Sequence, residues 1–324
     1  MMKQFKIAEP QTFEQVTSLS SEDRTYCLMA GGTDLVGELK DGIIEPEVVV
    51  DLNTISGLSY INKDRSGVRI GALTRLAELA ENPQIQNEYP ALHEAALSVA
   101  TPQLRNVGTV GGNLCQRPRC WYYRDPQTRC RKKGGSRCFA SNGRNKYHAI
   151  LGGRTCCIVH PSDLAPALIC LDAKVTISAP EKDKTIPLAD FFTLPSVNVR
   201  RENILAPNEV VKEIILPPAK RGEKSTYIKL KERETWDFAL VSAAVKGTAS
   251  GGIFNDIKII LGGVAPVPWR LEKAESLIRG RKVKPDSVRQ AARRALADAQ
   301  PLAENAYKLE LVEAVLSRAV SSLV

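Results

Sequence analysis

Six of the eight cysteines fall between Cys115 and Cys157, and no other feature limits the fold of this chain so tightly. Thiols crowded in this way are either joined as disulfides or used to hold metal, and the redox compartment decides between the two. The N-terminal MMKQFKIAEPQTFEQ has no apolar stretch of signal-peptide length, and no segment approaches the roughly eighteen apolar residues of a membrane span. A soluble chain without an export signal of its own is therefore expected. In a reducing compartment its clustered cysteines point to metal or redox chemistry.

The spacing narrows the metal. Nine, seven and seventeen residues separate Cys120, Cys130, Cys138 and Cys156 in turn. Structural zinc sites bring close pairs of the C-x2-4-C type, which Cys115/Cys120 only approximates and Cys130/Cys138 does not form. Iron–sulfur sites held by four thiolates accept irregular spacing. Cys27 and Cys170 lie in apolar contexts that suit buried thiols.

Charge bears on the same segment. Residues 115–154 hold eleven Arg or Lys against the single acid Asp125, a local charge of +10, whereas the whole chain carries +9. The remainder is close to neutral, so the basicity belongs to this stretch rather than to a general nucleic-acid or membrane surface. Basic residues beside thiols favour the thiolate and offset the negative charge of a thiolate-bound iron–sulfur cube. The rival readings of the stretch are a metal-dependent nucleic-acid finger and a solvated basic loop with incidental thiols.

Elsewhere the pattern is that of a globular chain of two domains or more. YCLMAGGTDLVGELKDG from Tyr26 reads as a strand, a glycine turn and a short helix, with Thr33 or Asp34 as its N-cap. VVVDLNTI and VRIGAL read as further strands, and 73–83 and 91–100 as helices, the first stopped by Pro83. The Pro- and Asn-bearing stretch 193–208 reads as a linker. EVVKEIILP, STYIKLKER, ALVSAAVKGT and DIKIILGGVAP are strand patterns beyond it, and helices follow from about Leu271. Strands first and helices after suggest a separate α+β domain at 209–324.

Two glycine turns are candidate anion cradles: AGGTDLV at 30–36 and RNVGTVGGNL at 105–114. Glycine lets backbone N–H groups approach an anion, and two such turns could clamp a pyrophosphate from both sides. Neither matches GxxxxGK[ST] or GxGxxG, so Walker and Rossmann readings lack support. HPSDLAPAL (160–168) opens a helix at Ser162 or Asp163, where Asp163 considered alone is an N-cap. Lys229 and Lys231 alternate on a strand and considered alone belong to a solvated face. With three histidines in the chain and no Ser/His/Asp or Cys/His arrangement, hydrolysis fits poorly.

Taken in order, AGGTDLV, TPQLRNVGTVGGNL, HPSDLAPAL and KERETWDFALVSAA resemble the FAD-binding subunits or domains of the molybdenum hydroxylases, the xanthine dehydrogenase family, over nearly the whole chain. The insertion of about forty residues between GGNL and the SD motif is similar to that of the flavin subunits of 4-hydroxybenzoyl-CoA reductase and of the periplasmic aldehyde oxidoreductase, which carry an extra [4Fe–4S] cluster. WYYR and NKYHAILGG look closer to the latter.

This resemblance implies an α+β chain: a two-part FAD-binding domain at 1–200, in parts at about 1–55 and 56–200 with an iron–sulfur loop inserted at 115–157, followed by a C-terminal domain of β-sheet and helices at 209–324. It places the pyrophosphate loop on Leu28, Met29, Ala30, Gly31, Gly32, Thr33, Asp34, Leu35 and Val36, and a second flavin loop on Thr101, Thr109, Gly111, Gly112 and Asn113. Asp163 would face the ribityl region and Lys229 the flavin, which reverses the local reading of both. The cluster ligands fall on Cys120, Cys130, Cys138 and Cys156, with Cys157 the alternative fourth, and Cys115 becomes a non-ligand thiol. No residue is implied as an acid or base toward the organic substrate. The implied partners are a molybdenum-cofactor large subunit and a [2Fe–2S] small subunit, in a heterotrimer or its dimer, with an external electron acceptor and no nucleic acid or membrane insertion. A reductase that feeds electrons inward is the alternative within the family. The location implied is the periplasm by co-export with a signal-bearing partner, or the cytoplasm.

Overall fold

The computed structural model describes residues 2–18 and 25–324, and their strands form three sheets. The first is a small parallel sheet of β1 (Lys6–Ala8), β2 (Tyr26–Met29) and β3 (Val48–Asp51) in the order β1-β3-β2. Its core is Val16, Val50, Leu52 and their neighbours. The chain leaves β2 through the first glycine turn and enters the helix Leu35–Lys40.

The second sheet joins β4 (Ile61–Asp64), β5 (Gly67–Gly71), β6 (Lys174–Ser178), β7 (Lys184–Pro187) and β8 (Val210–Leu216) in the order β4-β5-β8-β6-β7, all antiparallel. Its apolar face packs on the helices Pro90–Ser98 and Leu164–Cys170, burying Ile70, Leu92, Leu168, Val175 and Ile214. Pro83, read from the sequence as a helix stop, opens the next helix, Pro83–Glu88, because a proline at the first helical position loses no hydrogen bond.

The strand pattern at 209–217, grouped in the sequence with the C-terminal strands, is β8 of this second sheet. It pairs with β5 and β6 because its apolar face completes their core. The third sheet holds β9 (Glu223–Leu230), β10 (Val241–Ser250), β11 (Ile253–Gly262) and β12 (Trp269–Arg270), antiparallel in the order β12-β11-β10-β9. The helices Glu272–Ile278, Pro285–Ala295 and Tyr307–Ser321 cover it, with Val245, Ile259, Val312 and Leu316 in the core between.

The insertion 115–157 contains no strand among its residues, only the short helix Trp121–Arg124 and two tight turns. It is nevertheless anchored to the C-terminal domain: Ile150 and Leu151 N–H donate to Val264 O, Gln300 N–H to Ile150 O, and Asn305 Nδ2 to His148 O. Its other side meets the first glycine turn. This places the thiols beside the cleft between the domains. No described helix is long and apolar enough to cross a membrane.

Candidate functional site

A cavity of about 570 Å³ is walled by both glycine turns, the SD motif, the start of the insertion and the loop at 236–238. That volume is ordinary for a bound small molecule. Leu28, Ala30, Gly31, Gly32, Thr33, Asp34, Leu35, Thr109, Gly112, Asn113 and Asp163 line it. Met29, Val36, Thr101, Gly111 and Lys229 do not. Thr101 instead caps the helix Pro102–Arg105 by accepting from Leu104 N–H.

The two turns are not equivalent. Gly32 has φ +70°, which suits glycine, and a Cβ on Gly31 would lie 2.1 Å from Val107 O, so the turns touch only because Gly31 has no side chain. Among the described residues the N–H groups of Gly32, Thr33 and Asp34 find no protein acceptor, and an anion could meet them. In the second turn, by contrast, Val110 N–H donates to Thr74 O, Gly111 N–H to Ala72 O and Gly112 N–H to Thr109 Oγ1. A symmetric two-sided amide clamp is therefore not formed. The second turn supplies shape and the Asn113 side chain, whose Oδ1 accepts from Ser162 Oγ at 2.5 Å.

The SD motif divides its tasks. Ser162 Oγ accepts from Ala165 N–H at 3.0 Å and caps the helix, while Asp163 makes no capping bond. The carboxylate of Asp163 accepts instead from Tyr227 OH and Lys229 Nζ, both at 2.7 Å. Lys229 also donates to Ser98 O at 3.1 Å. Lys229 therefore reaches the cavity through Asp163. His160 is buried and packs edge-on against Phe192, and burial pushes its imidazole down to about 3, so it stays neutral.

Arginines and a lysine of the insertion turn inward. Asp34 accepts from Arg117 N–H at 2.6 Å, from Arg124 Nη2 at 2.7 Å and from Arg119. Burial raises the pKa of Asp34, but the Arg119 and Arg124 guanidiniums outweigh it and hold the carboxyl below its usual range. Glu38 accepts from Tyr123 OH at 2.6 Å, and burial raises its pKa more than these contacts lower it. Lys132 and Glu202 form a buried ion pair that Arg117 joins at 3.1 Å. Arg117, Arg119, Arg124 and Lys132 are thus spent inside the protein, whereas Arg129, Arg137, Arg144 and Arg154 of the same segment stay exposed.

Among the thiols, Cys130, Cys156 and Cys157 are buried and Cys120 and Cys138 half-buried. The neighbouring Cys156 and Cys157 thiols hold the Cys138 thiol well below its usual range, which favours its thiolate. Cys120 feels the charges of Cys138 and Cys130, and His148 Nε2 stands 3.2 Å from Cys120 Sγ. Among the described residues no group of three or more His, Cys, Asp or Glu side chains is placed to hold a metal ion. Cys115 lines the large cavity, and burial pushes its thiol up to about 12.

A second cavity of about 310 Å³ shares Arg119, Pro161, Asp163, Asp237 and Phe238 with the first and reaches Cys120 and His148. At the mouth of the first, Trp236 (φ +54°) donates its N–H to the carbonyl of Ala100 (φ +45°) at 3.4 Å. Two non-glycine residues in this region, bonded to each other in the cavity wall, are strain of the kind found at binding sites. Sequence reasoning missed Arg117, Arg119, Tyr123, His148 and Trp236. Only the local density of arginine signalled the first two.

The FAD binding domain of molybdopterin dehydrogenase matches residues 3–219, and the CO dehydrogenase flavoprotein C-terminal domain matches 225–323. The chain is 39% identical over 296 residues to the aldehyde oxidoreductase FAD-binding subunit PaoB of Escherichia coli K12, covering 89% of this chain and 88% of that one. It is 30% identical to the carbon monoxide dehydrogenase medium chain of Hydrogenophaga pseudoflava over 91% of this chain and 88% of that one. A solved structure of carbon monoxide dehydrogenase from the same organism superimposes with a TM-score of 0.77 at 27% identity, covering 100% of this chain and 98% of that one.

Proposed function

The chain belongs to the FAD-binding medium subunits of the molybdenum hydroxylase family, oxidoreductase components, and from that premise we propose an electron-transfer subunit carrying FAD and a [4Fe–4S] cluster in a molybdenum-dependent aldehyde oxidoreductase. Its partners would be a molybdenum-cofactor large subunit and a [2Fe–2S] small subunit, and it would hand electrons to an external acceptor. The observation that carries this reading is the junction of cavity and thiols: Arg119 lines the flavin cavity, and the next residue, Cys120, lies among the insertion's cysteines.

The chain carries candidate donors for both groups. The unpartnered amides of Gly32, Thr33 and Asp34 suit a pyrophosphate, and Asp163, fixed by Lys229 and Tyr227, offers a carboxylate oxygen to hydroxyls. Cys120, Cys130 and Cys138 with Cys156 or Cys157 make up the donor set for a cube, whose corner thiolates stand further apart than the ligands of one ion. FAD and cluster supply the redox chemistry when bound, and the chain binds, orients and shields them. No side chain is assigned a proton-transfer role toward the organic substrate.

The test is the co-expressed complex purified without oxygen. Flavin bands, broad iron–sulfur absorption and roughly four irons on this chain beyond those of the small subunit are expected. A chain free of flavin after reconstitution with FAD sinks the flavin assignment, and one free of iron after anaerobic reconstitution sinks the cluster. Cluster and flavin potentials measured together give the direction of flow, since inward transfer to a reductase needs the lower potential on the cluster.

A further inference from the structure

The flavin turn contains a charge that its task should forbid. Asp34 lines the same cavity as the free amides of the 32–34 turn, and its carboxylate does not cap the helix it precedes. Left alone, that negative charge would repel a pyrophosphate held a few ångströms away.

Among the described residues, every cation that answers it comes from the insertion, more than eighty positions along the chain. Arg119 and Arg124 pair with Asp34, and Arg117 adds a backbone N–H. The guanidiniums are held in turn: Arg124 donates to Pro118 O at 2.9 Å and to Arg117 O at 3.3 Å, and Arg119 to Gln116 Oε1 at 3.2 Å. Arg119 also lies over the Phe238 ring at 5.1 Å. One turn further on, Glu38 meets Tyr123 and Arg124, and Glu202 faces Arg117 and Lys132. The linked group thus holds the acids Asp34, Glu38 and Glu202 against Arg117, Arg119, Arg124 and Lys132, which leaves one surplus positive charge beside the flavin turn.

We propose that Arg119 and Arg124 of the cysteine-bearing insertion are positioning residues of the FAD site: they neutralise Asp34 so that the glycine turn accepts the pyrophosphate, and FAD affinity depends on the insertion being docked. The proposal rests on the FAD assignment and is independent of the cluster. A scaffolding role, in which the ion pairs merely prop the turn, makes the opposite prediction for Asp34 itself, because removing that carboxylate would then loosen the turn as much as removing its partners.

The experiment is a titration of the FAD-stripped full chain with FAD, read by quenching of flavin fluorescence, with far-ultraviolet circular dichroism as a check on folding. R119Q and R124Q should each weaken binding roughly tenfold, as expected for loss of one charge-assisted contact of about 1.4 kcal/mol, and R119Q/R124Q more. D34N should bind FAD at least as well as the parent, and D34N in the arginine backgrounds should restore most of the loss. Arginine variants within twofold of the parent overturn the proposal, as does a D34N that weakens binding or fails to rescue. If the double variant does not fold, R124Q with and without D34N carries the same comparison. A parent chain that binds no FAD would instead refute the flavin assignment.

Discussion

Lys229 Nζ stands 2.7 Å from Asp163 Oδ2, with the two side chains only 3% and 6% exposed, and Asp163 lines the cavity assigned to the flavin while Lys229 sits behind it. A buried pair of this kind contributes little against an apolar replacement of both partners, but removing one leaves the other charge stranded. Lys229→Met should therefore destabilise the chain by about 3–5 kcal/mol and lower the FAD content of the purified protein. Urea unfolding and the flavin-to-protein absorbance ratio check this, and a loss below about 1 kcal/mol with full flavin would contradict it.

Gly31 is where the two turns touch. An alanine there would place Cβ 2.1 Å from the backbone carbonyl of Val107, and a backbone atom cannot swing aside as a side chain can. Gly31→Ala should separate the turns and weaken FAD binding by at least about tenfold, equivalent to about 1.4 kcal/mol. Gly37→Ala, on the neighbouring helix with no atom near the added methyl, should leave the affinity unchanged. Fluorescence titration of the two variants side by side makes the comparison.

Serine substitutions should separate the thiols into two groups. Cys120→Ser, Cys130→Ser and Cys138→Ser should each lower iron per chain, whereas Cys115→Ser and Cys170→Ser, at the flavin cavity and in the core respectively, should keep the parental content. Cys156→Ser and Cys157→Ser identify the fourth ligand, since both thiols face Cys138 and one should tolerate replacement. Iron analysis after anaerobic reconstitution reads the whole series. Full iron in Cys138→Ser would refute the ligand set.

Lys308 is fully buried, with Nζ donating to Gly263 O at 2.7 Å and Tyr147 O at 3.0 Å. Burial pushes its amine down to about 7 from 10.5, and a neutral amine still has the two donors those carbonyls require. The unfolded chain then binds the extra proton between about pH 7 and 10.5, so this group makes the fold more stable as pH rises through that window, with no further change below it. The slope is at most about 1.4 kcal/mol per pH unit. Unfolding free energies of the parent and Lys308→Met from pH 7 to 9.5 should differ by this rising component. Parallel curves would refute it.

How much of this was legible depended on range. The turn Ala30–Val36 and the helix start at Ser162 were visible because glycine freedom and capping are decided within a few residues. The strands of the third sheet were visible because apolar alternation is local too. The role of Asp163 was not: its partners Tyr227 and Lys229 lie 64 and 66 positions away, and nothing near HPSD distinguishes a capping aspartate from a paired one. Lys229 likewise read as solvated from its own strand, the family resemblance alone set it toward the flavin, and its contact with that carboxylate appears only once β9 is in place. The basic segment was visible as charge, but not that Arg117, Arg119, Arg124 and Lys132 turn inward to meet Asp34 and Glu202.

The sequence by itself determined the family, through four short motifs in a fixed order, and it located the cysteine-bearing insertion and the glycine turns. Only the tertiary structure decided that β8 completes the second sheet, that the second glycine turn spends its amides largely on the distant carbonyls of Ala72 and Thr74, and that the insertion's arginines answer Asp34 and Glu38. The physical reason is that backbone freedom, capping and periodicity act between neighbours in the chain. Which buried charge meets which is settled by desolvation and packing, and these exist only once distant segments share one interior.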